Sequence, residues 1–190
     1  LPPVLVYLLS HKEKIMEVGE IYTEALGRIN AILHRSLDGA SAEMLCRMPA
    51  PHSNSMAWTA WHLTRVHDDH LADLADVPQL WTSEGWHERF GRASNDEETG
   101  QGHTLEEVAA FKVASAKDIL GYADVVFERS KKYLAGLTNA DLDRELDEPQ
   151  YYPLPTLGVR LVSVIADNTQ HAGQVAYLRG YFEEKRWGRA

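Results

Sequence analysis

Apolar residues at Val18, Ile21, Tyr22, Ala25, Ile29, Ile32 and Leu33 recur at intervals of three and four, the period of one helix face, and the pattern stops before Asp38-Gly39. A polar cluster, Pro51-His52-Ser53-Asn54-Ser55, then offers N-cap side chains for a second helix that runs to about Asp76, just ahead of Pro78. From Val77 to His103 the periodicity is broken by Pro, Gly, Trp81, Trp86 and the run Asn95-Asp96-Glu97-Glu98-Thr99-Gly100. This predicts a long loop with room for one short helix, and loops of that length are often functional. Thr104-Leu105-Glu106-Glu107 is a capping box, in which Thr and Glu side chains satisfy free backbone amides. It opens a predicted third helix that continues through Val108, Phe111, Ile119, Val126 and Phe127 to about Leu137, with Gly121 as a candidate bend. The connector Thr138 to Pro155 carries Tyr151-Tyr152-Pro153-Leu154-Pro155, whose prolines forbid helix. Thr156 then caps a last helix from Leu157 to roughly Phe182, with Leu161, Val164, Ile165, Ala172, Val175, Leu178 and Phe182 as its buried stripe. Four long helices, no strand and no internal repeat predict an all-α fold, a four-helix bundle with long connecting loops.

The 190 residues fit one domain, large enough to bury roughly 70% of the surface that the unfolded chain exposes. Residues 1–16 read as an N-terminal extension that covers an apolar groove; the chain opens on Leu1 instead of Met, as a trimmed or displaced start would. Its apolar run Leu1 to Leu9 is far shorter than the ~20 residues that span a bilayer, so no membrane partner is expected. A formal net charge of −9 argues against a nucleic-acid binder, because phosphate neutralisation needs a concentrated basic surface. The single Cys46 excludes an internal disulfide and a Cys-rich zinc site. That composition suits the reducing cytoplasm and leaves His, Asp and Glu as metal ligands.

Chemistry concentrates in the last helix, where Asp167 and His171 stand four residues apart and so project from one face. At about 100° per residue, His171 falls within the apolar stripe and Asp167 near its edge, so the pair is expected to look inward. A buried carboxylate is costly unless paired or metal-bound, and a divalent cation would satisfy it. The same pair also arises where Asp167 merely orients His171, or where His171 makes a core hydrogen bond. A third ligand must come from elsewhere, and the second helix offers His62, His67 and His70. Helical geometry keeps these three from converging on one ion; His67 and His70 read as structural or solvated, with His67 the rival ligand should the helix be rotated. His11, His34, His52, His87 and His103 have no partner at a telling spacing, although His52 and His103 lie near helix starts. Cys46 has no flanking nucleophile motif, and there is neither a Gly-x-Ser-x-Gly elbow nor a phosphate-binding loop. Gly100-Gln101-Gly102-His103 reads as a turn or an anion-receiving helix start, and Trp58, Trp61, Trp81 and Trp86 read as core and loop contacts.

Trp61-His62-Leu63 on the second helix, with His171-x-Gly-Gln-x-x-x-Leu-Arg179 on the last, resembles the DinB/YfiT-like superfamily of four-helix metalloenzymes. The loop Gln79-Leu80-Trp81 to Gly85-Trp86 and the stretch Thr99-Gly100-x-Gly102-x-Thr104-x-Glu106-Glu107 extend the resemblance over most of the chain after residue 17. The resemblance implies a divalent metal, Zn, Ni, Fe or Mn, held by His62, Asp167 and His171, with Asp167 standing where relatives typically carry a histidine. It also implies a cytoplasmic enzyme acting on a small-molecule substrate, a low-molecular-weight-thiol S-transferase or isomerase with a thiol cosubstrate. A metal-dependent hydrolase using the same residues and a non-enzymatic stress-related or ligand-binding bundle are the alternatives. Arg65 and Arg179 would then hold a substrate carboxylate, or else pair with acids such as Asp69 or Glu183. A symmetric homodimer is the default assembly.

Overall fold

In the computed structural model, which describes residues 16–185, four long helices carry the core: α1 (Val18–Leu37), α3 (Met56–Ala75), α7 (Ala116–Leu134) and α8 (Leu157–Phe182), with the short α2 (Ala42–Cys46) between the first two. The expected N-terminal extension lies outside the described residues except for Met16. α1 packs on α7 and α8, and α3 packs on the same two, so each long helix touches two others around one apolar interior. No strand occurs among the described residues; Glu145 and Thr156 form an isolated bridge that closes the connector onto the start of α8. None of the described helices is long and apolar enough to cross a membrane.

The predicted boundaries of α1, α3 and α8 agree with their caps. α1 stops at Asp38, followed by Gly39 at φ +67°, the left-handed conformation that ends helices. Ser55 accepts from the Trp58 amide at 3.2 Å to start α3, and Thr156 accepts from the Val159 amide to start α8. The third predicted helix differs. The Thr104 capping box forms, but it opens only α6 (Leu105–Ala110), and the chain is then non-helical until Ser115 caps α7. Phe111 leaves the helix because its ring is drawn against Trp61, 5.0 Å between centroids, and is almost wholly buried there. Gly121 lies within the continuous α7 and makes room for Trp86, whose Cη2 would lie 3.2 Å from a Cβ at that position.

The predicted loop between α3 and α6 holds two four-residue helices, α4 (Leu80–Ser83) and α5 (Trp86–Arg89), rather than one. Each places a tryptophan in the core: Trp81 is fully buried and Trp86 nearly so. Removing aromatic side chains of this size from water is worth about 2–3 kcal/mol each, enough to hold an otherwise polar loop on the bundle. Asp68 on α3 completes the anchorage, its carboxylate accepting from the amides of Leu80 at 3.1 Å and Trp81 at 2.8 Å, from Arg129, and from the Tyr122 hydroxyl at 2.6 Å.

Candidate metal centre

Where α3 crosses α8, the side chains of His62, Asp167 and His171 meet, with one donor atom from each lying within 4.8 Å of the others. They form the one such group of His, Cys, Asp or Glu among the described residues. The two imidazoles stand edge to face, 5.0 Å between centroids. One helical turn along α8, Asp167 Oδ1 lies 3.5 Å from His171 Nε2.

Both histidines have their other ring nitrogen already occupied. His62 Nδ1 lies 2.5 Å from the backbone oxygen of Thr99, and His171 Nδ1 lies 2.8 Å from Oε1 of Gln174. Each oxygen can only accept, so each Nδ1 carries the proton and each Nε2 is left with its lone pair toward the cluster, the arrangement that metal-binding histidines use. The His62 ring is stacked on Trp58 at 4.9 Å. Gly100, at φ +90°, passes directly behind it; a Cβ there would lie 2.8 Å from Trp61 and 3.1 Å from His62 Nδ1.

The electrostatics of the three are linked. Burial holds the His62 imidazole below its ordinary pKa, against the opposing pull of the Thr99 hydrogen bond. His171 is raised, first by its hydrogen bond to Asp167, with burial opposing. For Asp167, burial pushes upward, but the hydrogen bond and charge of His171 outweigh it and leave the carboxyl below its usual range. When His171 is protonated, its Nε2 faces Asp167 as an ion pair, and loss of that proton frees the Nε2 lone pair; Asp167 Oδ2 is buried with no hydrogen-bond partner. A divalent cation fits this donor set. It would displace the Nε2 proton of a protonated His171, take up the orphaned oxygen, and bind both Nε2 atoms; neighbouring donors around such an ion stand about 3–3.5 Å apart, so a modest closure suffices. Two imidazoles and one carboxylate suit Zn, Ni, Fe or Mn.

Asp167 and His171 lie at the rim of the α8 stripe rather than inside it, with side chains 37% and 19% exposed. Asn168 takes the inward position and is fully buried. Arg65 and Arg179 are turned to protein partners. Arg65 is wholly buried on α3, giving its donors to the Glu98 and Asp96 carbonyls, Gln79 and Tyr122. Arg179 bonds the Ser36 and Asp38 carbonyls at the end of α1 and pairs with Glu183 at 2.8 Å. The α1 C-terminus is a natural seat for a cation, since its last carbonyls lack helical partners.

The other histidines do not approach the cluster as ligands. His67 is buried against Ser130, whose hydroxyl donates to the Val126 carbonyl and so accepts from Nε2. His70 Nδ1 accepts from Arg160 at 3.0 Å, and His34 pairs with Asp124 at 2.7 Å across α1 and α7. His87 is bonded to the Trp81 carbonyl and His103 accepts from Trp58 Nε1, while His52 is exposed. His11 lies outside the described residues. The Gly100–His103 stretch is a turn packed on the indoles. Thr99 and Gln174, which set both tautomers, were not among the sequence candidates: a backbone carbonyl has no sequence signature, and a glutamine three residues after a histidine is commonplace.

The profile of the DinB superfamily matches residues 25–175. Among solved structures, the chain is similar to a conserved protein from Enterococcus faecalis at 31% identity and a TM-score of 0.82, covering 90% of this chain and 100% of that one. It is also similar in fold to a DinB-like protein from Bacillus cereus ATCC 10987, at 17% identity and a TM-score of 0.60, covering 93% and 99%. No curated protein matches it. With most of its length and all four long helices accounted for in this way, the chain belongs to the DinB superfamily.

Proposed function

We propose that this protein is a divalent-metal-dependent enzyme acting on a small molecule, with His62, Asp167 and His171 as the ligands and a low-molecular-weight thiol as cosubstrate in an S-transfer or isomerisation reaction. The observation that carries the reading is the pair of imidazoles whose Nδ1 atoms are both committed, leaving two Nε2 lone pairs beside a carboxylate with a buried, unbonded oxygen. Bound there, a Zn, Ni, Fe or Mn ion supplies Lewis acidity that lowers the pKa of a thiol or water enough for it to attack near neutral pH. The chain's own groups divide the remaining work. Thr99 and Gln174 hold the imidazoles in the binding tautomer, Asp167 supplies the one negative charge, and Trp58 closes one side of His62 to water.

Room for a substrate lies alongside. A cavity of about 490 Å³ opens between α3 and α8, lined by Ser53, Asn54, Thr59, Gln170, Gln174 and Tyr177 among others. Its lining has no charged side chain, and Gln174 joins it directly to His171. Small-molecule sites have this size and this mixture of apolar wall and a few convergent polar groups.

Elemental analysis of untagged protein tests the reading: one equivalent of metal in the wild type and loss of it in His171→Ala is the expected result, and no stoichiometric metal in either would overturn it. Thiol-alkylation assays set against ester and amide hydrolysis then decide the reaction class, with metal-dependent thiol consumption expected. We further infer a homodimer formed through α8, where Val159, Val162, Tyr177 and Tyr181 are more than half exposed on a helix otherwise poor in charge. Light scattering that returns a monomer mass at micromolar protein would refute it. The unpaired Cys46 fits residence in the reducing cytoplasm.

A further inference from the structure

We propose that Arg65 is a positioning residue for the cation site: by fastening the 96–98 segment to α3, it holds the Thr99 carbonyl on His62 and so fixes which nitrogen of His62 faces the cluster. The inference rests on the metal reading of that cluster.

Arg65 and His62 are three residues apart on α3 and therefore share a face, about 4.5 Å apart along the axis. The same short stretch of loop is pinned at both. The Glu98 carbonyl accepts from Arg65 Nε at 3.0 Å and the Asp96 carbonyl accepts from Nη2 at 2.9 Å. The very next carbonyl, Thr99, is the acceptor for His62 Nδ1. Gly100 then turns at φ +90° against Trp58 and Trp61, which an added Cβ would push aside. Two consecutive carbonyls thus bridge one turn of α3, and the position of the second is set by the first.

Arg65 is itself wholly buried and bonded on several sides. Its remaining donors go to Gln79 Oε1 at 2.8 Å and the Tyr122 hydroxyl at 3.0 Å, and its guanidinium lies 4.8 Å over the Trp81 ring. The Tyr122 hydroxyl donates in turn to Asp68 at 2.6 Å, and Asp68 lies 3.6 Å from Arg65, which neutralises the buried charge. Only a planar fork with five donors can reach four partners in these directions; a lysine ammonium in the same space would serve one or two. Without the fork, the 96–98 segment has no tie to α3 at this point. The Thr99 carbonyl would drift, and the His62 proton would be free to move to Nε2, where it blocks a ligand lone pair.

The test combines Arg65→Lys with two comparison variants. Gly100→Ala disturbs the segment from its far end, whereas Arg129→Lys disturbs the Asp68 pairing without touching residues 96–99. Nitrogen-15 NMR of the imidazole in metal-free protein reports the His62 tautomer, and Co²⁺ titration followed by visible absorption reports affinity. The expected result is a single Nδ1-H tautomer in the wild type and in Arg129→Lys, a mixed tautomer in Arg65→Lys and Gly100→Ala, and Co²⁺ affinity lower by about 10–100-fold in those two alone, the usual effect of losing a partner that orients a ligand. A wild-type tautomer together with wild-type Co²⁺ affinity in a folded Arg65→Lys would overturn the inference. So would unchanged values in Gly100→Ala, should Arg65→Lys not fold. A wild type that binds no Co²⁺ would sink the metal reading instead, while the tautomer measurement would still decide the role of Arg65.

Discussion

His67 is a titratable ring placed where water does not reach. Burial first, then the neighbouring charges of Arg129 and His70, hold its pKa at about 3 against an ordinary 6.5. The unfolded chain therefore binds a proton that the folded chain refuses, so the stabilisation is complete above about pH 6.5 and is lost as pH falls toward the folded value, by up to about 1.4 kcal/mol per pH unit. Urea unfolding of His67→Gln over this range should show a shallower acid limb than the wild type; parallel limbs would mean that His67 is not held neutral. Asp68 carries a different burden, since it neutralises Arg65 in a fully buried site. Asp68→Ala should cost about 3–5 kcal/mol, more than an ordinary core truncation, because a charge is left unpaired. At this scale the sequence showed the two α8 members of the cluster through their spacing. It took His62 from family resemblance and could not show Thr99 or Gln174, which act through one carbonyl each. Arg65 was read as the holder of a substrate carboxylate or the partner of an acid such as Asp69, whereas it bonds backbone groups some thirty residues away, which no local pattern encodes.

At the scale of helices, two glycines make opposite predictions. Gly19 lies where α1 crosses the end of α7, and a Cβ there would overlap the Leu134 carbonyl. Gly19→Ala should destabilise by about 1–3 kcal/mol through forced separation of the two helices. Gly173 sits inside α8 with nothing within 4 Å of an added Cβ. Gly173→Ala should stabilise by about 0.4–1 kcal/mol, by restricting the unfolded chain. Denaturant midpoints measured side by side decide both. The helices that the sequence placed well, α1, α3 and α8, have a cap side chain or a left-handed glycine at a boundary. The break between α6 and α7 was not legible, because Phe111 and Val113 keep an apolar rhythm across it and no Pro or Gly marks it. Its causes are tertiary: Phe111 packs on Trp61, and the Val113 amide and carbonyl both meet the Cys46 sulfur.

For the molecule as a whole, the proposed cation would couple to stability by mass action. With free metal at about 100 times its dissociation constant, the folded state should gain about 2.7 kcal/mol. Melting of the wild type should rise on metal addition and fall back with chelator, whereas His171→Ala should not respond; equal shifts in both would place the binding elsewhere. The bundle itself was legible because a repeated 3.6-residue period says which faces are buried. How the long loop folds over the bundle was not, since that depends on pairing a buried Asp68 with amides of α4.

Asp167 and His171 are synthesised roughly a hundred residues after His62. A nascent chain leaving the ribosome would carry the first imidazole, its indole shelf and the polypeptide that steadies it, yet hold nothing, until the final long helix has docked. The ion would thus work as a clasp on a closed bundle, and its retention would report that α8 had been made and had found its place.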